Sequence, residues 1–269
     1  MNFLLVIGFA IFIIFMTFYP DIKKRNRRKK TIQQSFPDNF VAILEKQLPF
    51  YASLPEKLRL LLHQKILAFL DEVRFEGCGD LTITDEIRLT IAGQASMLLL
   101  NDQDSYFNIL QVVLVYPSAY VAKTANPDGT FEESVRLGES WVSGTVVLAW
   151  DDVLHGIQNT NDGQDVVLHE FAHQLDQESG SGNGAPVLKG RTSYASWAKV
   201  LGREYKELKK RSENFKKTLL DSYGATNPAE FFAVATETFF EKPEKMKEKH
   251  PELYAELKKY YNLDPCDFF

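Results

Sequence analysis

Cysteine is almost missing from this chain. Cys78 and Cys266 are the only two in 269 residues, and neither belongs to a CxxC pair. They supply no metal-binding or redox motif, a disulfide between them has no support, and a reducing compartment is the simpler expectation. Internal repeats are missing too, which argues against a solenoid array. Acidic residues are scarce at the start: Asp21 is the only one in the first thirty positions, whereas residues 23–30 hold seven Lys and Arg. Beyond them basic charge is in deficit. Residues 31–269 carry 24 basic against 35 acidic side chains, a balance of −11 inside a total of −5. So acidic a body is a poor partner for a phosphate backbone, and no nucleic-acid partner is expected. The remaining composition is ordinary, and the length allows one or two domains with a real core.

The amino end holds a long apolar run. Residues 2–19 are uncharged, and at a rise of about 1.5 Å per residue they would nearly cross the hydrocarbon core of a bilayer. No basic residue precedes them, and Pro20-Asp21 stands where a cleaved signal would place small residues, so an uncleaved anchor is expected. The basic tract that follows predicts, by the positive-inside rule, a single-pass protein of the plasma (inner) membrane with its amino end outside. The expected division is an anchor at 1–20, a basic juxtamembrane linker at 21–36 and a cytoplasmic domain at 37–269.

Within that domain, apolar residues recur at helical spacing over 38–75, with Pro49 and Pro55 bracketing a break. Residues 87–100 predict another helix. Runs at 109–116, 120–122 and 146–150 are rich in β-branched and aromatic residues and predict strands, with a turn at 126–129. Residues 159–163 predict a turn, after which Asp162 or Asp165 could start a helix. A loop rich in small residues spans 179–193. Helices follow at 195–221, 228–241 and 243–261. This order predicts an α+β domain, a small sheet flanked by helices.

The chemistry concentrates in His169-Glu170-Phe171-Ala172-His173. Positions i and i+4 share one helix face, so both imidazoles can reach one ion, as in the HExxH arrangement of zinc peptidases. Glu170 points about a third of a turn away, badly placed as a ligand beside them but well placed to hold a water next to the ion. A buried helix whose histidines are satisfied by hydrogen bonds is the plainer reading. His63, His155 and His250 have no ligand spacing.

A catalytic zinc site needs a third protein ligand. The best source is the segment 221–232, where Glu230 opens an apolar helix. Locally, Glu230 divides evenly between ligand and helix cap, since Asn227-Pro228-Ala229-Glu230 is close to a capping box. Glu237, near the same face, is an alternative ligand or an acceptor behind a ligand histidine, a role for which Asp176 competes. Tyr223 is either a packing aromatic or a phenol that stabilises an oxyanion.

Four stretches carry a family resemblance: Leu137-Gly138-Glu139-Ser140-Trp141, residues 144–153, the HEFAHQLD string within 166–176, and Tyr223 through Phe232. Together they resemble the zinc-dependent peptidases typified by Mlc titration factor A. The last two are also similar to the catalytic domain of anthrax lethal factor. The resemblance implies a zincin-like fold and a single Zn2+ held by His169, His173 and Glu230, with Glu170 as general base and Tyr223 as oxyanion partner. It implies aminopeptidase-like action on a peptide or protein substrate, with endopeptidase action open, and it carries an alternative: capture of a transcriptional repressor. Residues 146–150 could serve such an enzyme as a sheet edge that aligns an extended peptide.

Overall fold

The computed structural model describes residues 16, 19–100, 105–125, 131–188 and 191–268. Helix α1 covers residues 19–31. It is followed by α2 (Asp38–Gln47), α3 (Glu56–Glu72), β1 (Arg74–Gly77), α4 (Asp85–Met97), β2 (Val112–Tyr116) and β3 (Tyr120–Ala125). Next come β4 (Phe131–Arg136), β5 (Gly138–Trp141), β6 (Thr145–Ala149), α5 (Trp150–Gln158) and α6 (Val166–Gln177). Helices α7 (Arg191–Glu213), α8 (Pro228–Glu241), α9 (Pro243–Lys249) and α10 (Pro251–Tyr261) complete the order.

The sheet is small and mixed, in the order β1-β2-β6-β5. β1, β2 and β6 run parallel, and β5 returns antiparallel to β6. β3 and β4 form a separate antiparallel ribbon, and the turn expected at 126–129 lies outside the described residues. In β6, Val146, Val147, Leu148 and Ala149 are all buried, so both faces of the strand are covered, while β2 and β5 pair with its two edges. The expectation of a sheet edge at 146–150 is corrected: the edge strands are β1 and β5, and β5 is the one beside β6. The β5–β6 turn depends on Gly144, at φ +84°, where a Cβ would meet the carbonyl oxygen of Ile109 at 2.0 Å.

The α+β expectation, a small sheet flanked by helices, holds. Helix α6 lies between the sheet and α8, with α4 along its flank. Its Val167, Leu168, Phe171 and Ala172 are buried, and the Phe171 ring meets Phe107 at 5.0 Å and Phe69 of α3 at 5.7 Å. Side chains of this size contribute about 1.5–3 kcal/mol each when fully buried. Helix α8 is buried on every side from Phe231 to Glu241, with Phe231, Phe232, Phe239 and Phe240 all in the core, as in a helix enclosed by others. The helix expected over 243–261 is in fact two, because Pro251 cannot continue a helix from His250 and instead starts α10. Both cysteines are free thiols.

The membrane placement is corrected. Among the described residues, no helix is long and apolar enough to cross a membrane, so a single-pass inner-membrane protein is not supported. The apolar run itself, residues 2–19, lies outside the described residues except at its end. Part of the basic tract packs onto the domain. Within α1, Arg28 grips Glu72 of α3 through two bonds of 2.6 and 2.7 Å and stacks over the Tyr106 ring at 3.6 Å. Arg27 pairs with Asp71 at 2.9 Å and Lys24 with Glu72 at 3.4 Å. The basic tract is thus helical, and three of its seven cations pair with acids at the end of α3.

Candidate metal centre

Helix α6 begins at Asp165, whose carboxylate accepts from the Leu168 N–H at 2.9 Å, a helix N-cap. One turn in, His169 and His173 stack on the face turned towards α8, with their Nε2 atoms 3.2 Å apart. Helix α8 starts with Asn227 as its cap, accepting from the Ala229 and Glu230 N–H groups at 2.9 and 3.0 Å. Since Asn227 does the capping, the Glu230 side chain is released from that duty and turns to α6. Its Oε2 lies 3.0 Å from His169 Nε2 and 3.2 Å from His173 Nε2. The tie between cap and ligand ends with the carboxylate at the histidines.

The three ligand atoms all lie within 4.8 Å of one another. Four-coordinate zinc with bonds of about 2.0–2.1 Å would separate its ligand atoms by roughly 3.3 Å. The observed edges of 3.0–3.2 Å are close to that spacing, and two imidazoles with one carboxylate are a donor set suited to such an ion. The residues present therefore fit a divalent metal.

Behind His169 stands Glu237. Its Oε1 accepts from His169 Nδ1 at 2.7 Å, and its Oε2 accepts from the Asp165 N–H at 2.8 Å. This orients the imidazole so that Nε2 faces the cluster. Of the two roles left open for Glu237, the geometry matches the acceptor behind a ligand. Asp176 does not reach His173; it is fully buried and accepts from the Gly184 N–H at 2.7 Å, anchoring the loop beyond α6.

Electrostatics divide the carboxylates. Burial works to raise the Glu230 pKa, but hydrogen bonds from the two histidines outweigh it and hold the group at about 2. Glu170 goes the other way, pushed up to about 7 by burial, with His169 and His173 opposing and Glu230 reinforcing. It is 6% exposed and lies against β5, where a Cβ on Gly138 would meet its Oε1 at 2.6 Å. Tyr223, on a 3-10 turn over Ser222–Ala225, has its ring 5.9 Å from that of His169 and is half exposed. Burial, then the charges of Glu230 and Glu170, raise its phenol pKa.

A cleft of about 480 Å³ joins these groups, lined by His169, Glu170, His173, Tyr223 and Glu230 on one side and by Arg136, Gly138, Glu139 and Ser140 on the other. The second wall had been given no role. Tyr120 of β3 donates to Glu139 at 3.4 Å, and Arg136 lies 3.7 Å from the same carboxylate. The sequence signal for it was the resemblance carried by Leu137-Gly138-Glu139-Ser140-Trp141, which came without a chemical role. The other histidines sit elsewhere: His63 bonds the Tyr51 hydroxyl at 2.7 Å, and His250 bonds Glu204 at 2.8 Å.

Comparison with known proteins agrees with this centre. The chain matches the family model described as glucose-regulated metallo-peptidase M90 over residues 22–262. That match begins inside α1. A Synechocystis protein, slr2042, is 44% identical over 244 residues, covering 89% of each chain. Mlc titration factor A of Pectobacterium atrosepticum is 31% identical over 76% of this chain and 80% of its own length. That of Yersinia pestis is 29% identical over 81% and 82%. The comparisons do not show the expected likeness to lethal factor. A domain-long family match joined to a His-His-Glu cluster leads to one conclusion: the chain belongs to the glucose-regulated metallo-peptidase M90 family.

Proposed function

We propose that this protein is a zinc-dependent peptidase that hydrolyses peptide bonds in the cleft between α6, α8 and β5. The observation that carries this is the convergence of His169, His173 and Glu230 within 4.8 Å, with a second carboxylate, the buried Glu170, beside the cluster but outside it. A zinc ion bound there would supply Lewis acidity, polarising the substrate carbonyl and making a water easier to deprotonate. Glu170 takes the proton from the attacking water and returns it to the leaving amine. Its raised pKa, about 7, suits a group that must both accept and give a proton near neutrality. Tyr223, kept protonated, donates a hydrogen bond to the oxygen on which negative charge develops. Glu237 holds His169 in its tautomer throughout.

The substrate backbone lies along β5. Ala149 N–H donates to the Leu137 carbonyl, so by antiparallel alternation the backbone groups of residues 137, 139 and 141 face β6 and those of Gly138 and Ser140 face outward. Gln177 already occupies the Ser140 carbonyl at 3.1 Å. Gly138 therefore offers both its groups, and Ser140 its N–H, to an extended peptide. Replacement of Glu170 with Gln tests the reading. Metal content should stay at one ion while peptide turnover falls about 10²–10⁴-fold; unchanged turnover overturns it. Peptides with free and blocked amino ends separate aminopeptidase from endopeptidase action.

A second reading draws on the names of the relatives, which are called titration factors of Mlc. On that reading the chain captures a transcriptional regulator. The Glu170→Gln protein distinguishes the two, because regulator binding that persists without turnover would favour capture.

A further inference from the structure

A second cavity, of about 320 Å³, shares no lining residue with the metal cleft. Leu48, Met97 and Phe240 give it apolar walls, yet Gln94, Asp165 and Glu241 also line it and are 3, 5 and 8% exposed. Gln94 donates through Nε2 to Asp165 at 2.5 Å, while its buried Oε1 has no partner among the described residues. Glu241 accepts on Oε2 from the Gly163 and Gln164 N–H groups at 2.6 and 3.0 Å. Its other oxygen makes no hydrogen bond to the described residues. Burial, then the charges of Asp165, Asp162 and Glu237, push the Glu241 pKa up to about 8. Two cations line the cavity: Lys242, which gives its ammonium to the carbonyl of Asp162, and the exposed Lys245. The cavity is therefore rich in acceptors and walled by hydrocarbon, and a buried acceptor without a donor, as Gln94 Oε1 is among the described residues, is costly unless something donates to it.

We propose that this cavity binds a small organic ammonium compound, whose ammonium donates to Glu241 Oε1 and Gln94 Oε1 while its hydrocarbon part lies against Leu48, Met97 and Phe240. The volume is at the small end of the range typical of ligand sites. An occupant would touch the hydrogen-bond chain that runs from Gln94 through Asp165 and Glu237 to His169.

Titration calorimetry on the full chain with phenethylammonium chloride, against 2-phenylethanol as the uncharged counterpart, tests this. Saturable one-site binding is expected, with the amine at least about tenfold tighter than the alcohol, because hydrogen bonds to a charged group are the stronger kind. Glu241→Gln should erase that preference. Glu241 also holds the backbone at 163–164, so a second variant, Thr160→Trp on the exposed rim, should weaken the amine about tenfold with the melting temperature unchanged. Equal affinity for the two probes, no binding of either, or a preference that survives Glu241→Gln would overturn the site. So would a crystal soaked with the amine in which only water occupies the cavity.

Discussion

Replacing Gly138 with alanine is the most direct probe of how this centre is built. A Cβ there would lie 2.6 Å from Glu170 Oε1, 2.7 Å from its Cγ and 2.8 Å from Val166 Cγ2. Non-bonded carbon atoms rest at about 3.5–4.0 Å, so the clash requires a movement of roughly 1 Å. Val166 is held in the first turn of α6, whereas the Glu170 carboxyl can rotate, so the carboxyl is the group that yields. A displacement of about 1 Å at a catalytic group can cost on the order of 100-fold in rate. Overpacking a tight contact costs about 1–3 kcal/mol of stability, or a few degrees in melting temperature for a domain of this size. Gly138 touches neither histidine, so the metal centre should be spared. The expected result for Gly138→Ala is a kcat roughly 100-fold lower, one bound metal ion as in wild type, and a melting temperature lower by about 2–10 °C. Peptidase kinetics, metal analysis and a thermal scan on the same preparation measure all three. Full activity would show that Glu170 is not constrained by β5, and parallel loss of metal and activity would show that the glycine supports the ligands instead.

Three further outcomes follow from the same contacts. Glu237→Gln removes the charge behind His169 and should lower metal affinity about 10–100-fold in a chelator competition, with the fold retained by circular dichroism. Asn227→Ala removes the α8 cap; it should cost about 0.5–2 kcal/mol in denaturant unfolding and weaken metal binding too, because an uncapped first turn aims Glu230 less well. The Glu72 pKa is lowered: burial opposes, and the Arg28 hydrogen bonds and charge prevail. A depressed carboxylate contributes its stability above its unfolded pKa and loses it as pH falls through the folded value. Amide exchange in α1 should therefore be slow at neutral pH and speed up below the ordinary glutamate range. Glu72→Gln should make it fast at neutral pH and remove the acid dependence.

The helix that carries His169 and His173 was legible because its information is local. The i, i+4 spacing of His169 and His173 and the apolar residues between them define a helix face without reference to the rest of the chain. The same holds for α2 and α3, whose periodicity is carried by each segment alone. The alternatives left open at Glu230 and Glu237 involve packing across α6 and α8, sixty residues apart in the chain, and only the fold shows which carboxylate meets Nε2 and which meets Nδ1. The edge of the sheet was misjudged for a related reason. A run such as 145–149 reads as a strand, but the number of neighbours it has depends on β2 and β5, and β5 is only four residues long. Charge was only partly legible. A basic tract next to an apolar run gives no sign of its partners, and in three dimensions Arg28 finds Glu72 across 44 residues. The sequence by itself determined that a helix would present two imidazoles and a carboxylate. Tertiary packing decided what stands opposite them, because the partners of a buried polar group are set by which elements touch, and no local pattern encodes that.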